Sequence, residues 1–154
     1  TLQAARVTPP LPGRKYVPGA TARHPEGAFD AIRDRALPAT ESAKAAENPA
    51  WVYGLRLFDA GFWWEAHEVL EPVWMNARPN SPERAMTQAV IQLANGALKR
   101  EMGAENAWVR LRAIALRLAE DAVRGEAAPM GLFRGDVERA VADIEAGRAP
   151  RLGG

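Results

Sequence analysis

The sequence contains no cysteine among its 154 residues. That absence excludes disulfides, thiol catalysis and thiolate metal sites together, and it fits a reducing compartment, so a cytoplasmic protein is expected. Histidine is scarce as well, with only two copies, His24 and His67. Neither sign of charge prevails: 20 Lys and Arg face 19 Asp and Glu, a formal net charge of +1. Without a basic tract there is no field to draw nucleic acid or an anionic membrane, so neither is expected as a partner. No apolar run approaches the roughly 18 residues that a membrane span needs. No stretch alternates at period two for long enough to form a strand. A phosphate-cradling glycine loop and a strand-turn-helix nucleophile elbow are also missing.

What is present is proline at the front and helical periodicity behind it. Residues 1–27 are dense in proline, as in "VTPPLPGRKYVPGATARHPEG". Fixed dihedrals and missing amide donors leave no regular element there, and an extended arm anchored by Tyr16 and Val17 is expected. Residues 28–150 read as one all-helical domain. A short segment over 28–37 ends at Pro38, and 40–47 is an alanine-rich turn. Asn48 with Pro49 looks like an N-cap with proline at the first helical position, and that helix stops at Gly61. The next runs from about 62 to 76. Ser81-Pro82 opens a long helix to about 102 that is apolar around most of its circumference, as the buried centre of a bundle would be. Asn106 is placed as the cap of a helix ending at Gly125, and Asp136 opens a last one that stops at Gly147. The fold class is all-α: a compact bundle of about five helices, with short connections that make sequential helices antiparallel.

The chemistry concentrates in "GFWWEAHEVLEPVW", residues 61–74. On a helical wheel His67 and Glu71 share an arc of about 120° with Leu70, Trp63, Trp64 and Trp74, while Glu65 falls well around the helix beside Val69 and Phe62. His67 and Glu71 are therefore expected to point inward. The long central helix carries Arg84, Gln88, Gln92, Asn95 and Lys99 in a polar band roughly 80° wide. Unpaired buried polar groups cost on the order of 1–3 kcal/mol each, so hydrogen bonds from Gln88 and Gln92 to His67 and Glu71 are expected, with Arg84 or Lys99 closing a salt bridge. The candidate cluster is Glu65, His67, Glu68, Glu71, Gln88 and Gln92. His67 and Glu71 are also candidate ligands for a divalent metal with Glu68 as base, in the manner of a zinc-peptidase helix, but a third ligand would have to be His24 or another carboxylate. Trp51 and Trp108 are expected in the core or at an interface.

Three stretches, "LFDAGFWWEAHEVLEPVW", "QAVIQLANGALK" and "GAENAWVRL", together resemble an uncharacterised helical family of bacteria and archaea, domain of unknown function 309. Glu65, His67, Glu68, Glu71 and Trp74 match its Glu-Ala-His-Glu-Val-Leu-Glu-x-x-Trp stretch. Gln88, Ile91, Gln92, Leu93 and Ala94 match its Gln-Gly-Leu-Ile-Gln-Leu-Ala stretch. The arm, with "RKYVPG" and "HPEG", is similar to the start of proteobacterial members. The resemblance implies a compact helical domain without an established reaction, and members are sometimes labelled predicted metal-dependent hydrolases. This sequence departs from them in having Ala28 and Lys99 where members often carry histidine, and it lacks a Pro-His-Pro stretch in the arm.

Two readings follow. One is a non-catalytic or self-associating module whose buried Glu/His/Gln cluster fixes helix register; a homo-oligomer, or a small-molecule or peptide ligand, would be its partner. The alternative is a small hydrolase, with a metal or by acid-base chemistry without one, with its site at His67, Glu68 and Glu71.

Overall fold

A computed structural model describes residues 8–154. Among the described residues every regular element is helical: α1 (Asp30–Arg33), a 3-10 turn (Ser42–Glu47), α2 (Pro49–Asp59), α3 (Trp63–Met75), α4 (Pro82–Glu101), α5 (Glu105–Gly125), a second 3-10 turn (Pro129–Gly131) and α6 (Arg134–Glu145). The expected all-α bundle is what forms. No helix of the described residues is long and apolar enough to cross a membrane.

Helix α4 is the centre. Its Met86, Ala89, Val90, Leu93 and Ala94 are fully buried, because it is covered by α3 on one side and α5 on the other. Helices α2 and α3 also pack side by side, and a connection as short as Ala60 to Phe62 makes that pair antiparallel. Gly54 permits the approach: a Cβ there would lie 2.4 Å from Leu70 Cδ2. Phe58, Leu57, Leu70 and Leu93 lose all solvent contact, each contributing roughly 1.5–3 kcal/mol of transfer free energy. Trp51 and Trp108 are core residues as expected, and the indole Nε1 of Trp108 donates to Glu145 at 3.1 Å.

The helix stops at Gly61 and Gly147 are left-handed, with φ of 82° and 74°. Ser81 caps α4 by accepting the Arg84 amide at 3.1 Å. Three expected caps differ. Asn48 holds the N-cap position of α2 with Pro49 first in the helix, as expected, but its side chain turns back to accept the Leu37 amide at 3.3 Å and makes no capping hydrogen bond. Asn106 lies inside α5, because the left-handed Gly103 closes the end of α4 one residue before the N-cap, Ala104. Asp136 is in the first turn of α6 and accepts the Phe133 amide at 2.8 Å, the reach-back half of a capping box. The helix expected over 28–37 contracts to Asp30–Arg33.

The arm is laid on the bundle. Tyr53 on α2 donates its hydroxyl to the Pro10 carbonyl at 2.8 Å, Arg56 donates to the Pro9 carbonyl at 3.0 Å, and Lys15 pairs with Glu101 of α4 at 2.7 Å. Burial pushes the pKa of the Tyr53 hydroxyl above its ordinary value. The part of the expected arm over residues 1–7 lies outside the described residues.

Candidate functional site

Helix α3 carries two polar groupings on different faces. Its buried line is Glu65, Ala66, Val69, Leu70 and Val73, none with any exposed surface. A carboxylate on that line must be paired or hydrogen-bonded, because an isolated buried charge is prohibitively costly. The arm supplies the partners. Glu65 Oε2 accepts the Tyr16 amide at 2.7 Å and meets His24 Nε2 at 2.6 Å. Glu65 Oε1 is buried with no hydrogen-bond partner among the described residues. Aromatic rings close over the contact: Tyr16 meets Trp64 edge-on at 5.2 Å, and His24 stacks on Trp64 at 5.9 Å. The wheel separates Glu65 from His67 correctly. It is Glu65, however, that occupies the buried face, while Trp63, Trp64 and Trp74 are only half-buried.

The second grouping is on the flank. His67, Glu68 and Glu71 keep 28%, 31% and 39% of their side-chain surface exposed, so the inward orientation expected for His67 and Glu71 is only half realised. His67 Nδ1 lies 3.7 Å from Glu68 Oε1, and its Nε2 lies 3.8 Å from Glu71 Oε2. The cation that pairs with this acid cluster is neither Arg84 nor Lys99. Arg33 on α1 reaches Glu71 Oε1 at 3.2 Å and Glu68 Oε2 at 3.5 Å.

Arg33 also donates to the main-chain carbonyl of Glu68, and the sequence explains why that carbonyl is free. Pro72 sits inside α3 four residues later, so the amide that would have bonded it does not exist. The proline creates the acceptor and α1 docks on it. Further along, Thr40 donates its hydroxyl to the Val73 carbonyl at 2.6 Å, and its amide to the Asn76 carbonyl at 3.1 Å, satisfying the open end of the same helix.

His67, Glu71 and Trp74 of α3 face Gln88, Ile91, Gln92 and Asn95 of α4 across a cavity of about 200 Å³. The two helices thus bring the expected partners to one place. The expected hydrogen bonds are not formed: among the described residues no side chain bonds Gln88, Gln92 or Asn95, and all three are half-exposed. Arg84 instead stacks on the Trp74 ring at 4.2 Å and donates to the Ala77 carbonyl at 2.9 Å. The Trp74 Nε1 is buried without a partner among the described residues. Lys99 is exposed.

A divalent metal needs more than this. Among the described residues no three His, Cys, Asp or Glu side chains gather as a ligand set. His24, the remaining imidazole, is committed to Glu65, and Glu71 Oε1 is already paired with the Arg33 guanidinium. The donor set does not fit a divalent cation.

Residues 51–111 match the family model described as Domain of unknown function (DUF309). Over that stretch the chain is similar to DUF309 domains. No curated protein and no solved structure matches the chain. The DUF309 match spans α2, α3, α4 and the start of α5, and so contains Glu65, His67, Glu68, Glu71, Gln88 and Gln92. The residues that complete both polar groupings, Tyr16, His24 and Arg33, lie before it. Sequence reasoning names Tyr16 only as an anchor of the arm and His24 only as a third metal ligand, and it misses Arg33 and the Glu65 contacts because they come from the arm and a four-residue helix without periodicity. Only Pro72, inside a helical pattern, signals that an outside donor is required.

Proposed function

We propose that this helical domain is a non-catalytic module that binds a ligand in the groove between α3 and α4. The observation carrying the reading is the state of Gln88, Gln92 and Asn95. Three carboxamides line one cavity with His67 and Glu71, and no other side chain among the described residues engages them. Hydrogen-bonding groups converging on a concave site without internal partners are what a ligand site supplies. The buried Glu65–His24 contact is a different thing: it has no open access and serves to hold the arm. Trp51 and Trp108 are buried, so that pair offers no surface for self-association.

A set of small amides, amines and carboxylic acids, screened by ligand-observed NMR, tests this reading. Binding that disappears in His67→Ala and Gln92→Ala supports it; no binder from any class overturns it. The hydrolytic alternative is favoured by one feature, the His67 ring set between Glu68 and Glu71 at the groove's rim. In that reading the carboxylates orient the imidazole as a general base acting without metal. Equal turnover of p-nitrophenyl acetate by the natural chain and by His67→Ala disposes of it.

A further inference from the structure

We infer that the groove's ligand is an extended peptide held through its main chain, by a ladder of carboxamides on α4. The inference rests on the groove reading above and deepens it. Ser81, Arg84, Gln88, Gln92 and Asn95 recur at three-to-four spacing and so lie along one stripe of α4. A second cavity, of about 440 Å³, opens over the start of that stripe between α4 and the end of α5, lined by Ser81, Arg84, Gln88 and, across from them, Leu118 and Asp121. Gln88 lines both cavities, so they follow one another along the helix. The fourteen residue steps from Ser81 to Asn95 span about 21 Å at 1.5 Å per residue. That is the length of about six residues of extended chain at roughly 3.3 Å each. A single small molecule would fill the 200 Å³ cavity and leave the rest of the stripe bare.

The chemistry of the stripe selects the ligand class. Each carboxamide offers a carbonyl acceptor and an amide donor, the complement of one peptide unit. Helical neighbours at i and i+4 are about 6 Å apart, close to the two-residue repeat with which an extended chain presents its amides on one side. Main-chain hydrogen bonds then give affinity, and the two cavities along the stripe give a preference among side chains. The charges along the groove cancel. Glu71 is paired with Arg33, and Arg84 lies over Trp74 opposite Asp121 across the cavity's mouth. A polyanion finds no basic track there, so nucleic acid is the poorer fit.

The test uses the full chain and a displayed library of random dodecapeptides as probe, with enriched sequences synthesised in capped form. Expected are peptides that perturb the side-chain amide resonances of Gln88, Gln92 and Asn95. Affinity should fall roughly tenfold when a central peptide amide is N-methylated, which removes about one hydrogen bond's worth of binding, and further in Gln88→Ala/Gln92→Ala, which removes two carboxamides. Unchanged melting of that variant confirms that its fold is intact. If N-methylation has no effect, the main-chain mechanism is overturned while the groove stands. If N-methylacetamide shifts the carboxamide resonances and no peptide is enriched, the ligand is small and the peptide inference fails. Binding of an oligonucleotide at the groove overturns it too. Silence from every probe removes both the inference and the groove reading beneath it.

Discussion

Glu65 and Glu71 stand on the same helix, yet the first is fully buried and the second is 39% exposed. The first is engaged by a main-chain amide and an imidazole from the arm; the second shares a guanidinium with Glu68 and otherwise faces a groove. The difference teaches where polar groups on one helix do structural work and where they stay available. Burial presses for partners, so Glu65 Oε2 recruits two from residues 41 and 49 positions away in the chain, although Oε1 has none among the described residues. Half-exposure removes the compulsion, because water can serve the lone pairs and donors of His67, Gln88 and Gln92 until a ligand replaces it.

The contrast can be broken most forcibly at Glu65. Glu65→Ala leaves the His24 ring and the Tyr16 amide without their acceptor and should cost about 3 kcal/mol. In a domain of this size that lowers Tm by roughly 6–12 °C. Calorimetry reads the loss, and faster hydrogen exchange at Tyr16 and Val17 shows that the arm has been released. A cost below half a kcal/mol would mean that the arm is held by its aromatic contacts instead. Glu65→Gln, which keeps an acceptor for Tyr16, should lose less.

Next in size is the docking of α1. Arg33→Ala should cost about 1 kcal/mol by orphaning the Glu68 carbonyl. In a Pro72→Ala background residue 72 regains its amide, the carbonyl is satisfied within the helix, and the same Arg33 change should cost less. A coupling energy of at least about 0.5 kcal/mol in denaturant titrations is expected from the cycle, and strict additivity would refute the account. At the other face, His67→Ala and Gln92→Ala should stay within about 0.5 kcal/mol of the natural chain, since neither side chain makes an internal hydrogen bond. A large loss there would erase the distinction between the two faces.

The smallest effect concerns acid. Burial raises the Glu145 carboxyl, but hydrogen bonds from Trp108 and Arg112 outweigh it and hold the group below its ordinary value. A depressed carboxyl contributes stability above its unfolded value, and that contribution is lost as pH falls through the lower folded one. Glu145→Gln should therefore destabilise slightly at neutral pH and flatten the acid limb of the stability curve, as followed by circular dichroism.

Most of the fold was legible because it rests on local signals: proline and serine at the start of α4, glycines after α2 and α6, and apolar spacing between them. Asn48 and Asn106 misled because capping depends on what else competes for the side chain, and a distant amide at Leu37 and the turn at Gly103 decided those positions. The candidate site was half legible. The wheel put His67, Glu71 and the amides of α4 opposite one another, and the structure places them around one cavity. Its error was to let tryptophan mark the buried face. An indole has a polar edge and half-buries readily, whereas Val69, Leu70 and Val73 mark the interior with less ambiguity. The His24–Glu65 contact was out of reach, since nothing periodic ties residue 24 to residue 65.

The arm's attachment at position 16 runs through a peptide N–H, a group that nineteen of the twenty amino acids supply. Sequence drift at that position can strip away the ring without cutting the tether, and among single replacements only proline deletes it. Position 24 has no such insurance, since there the side chain itself is the connector.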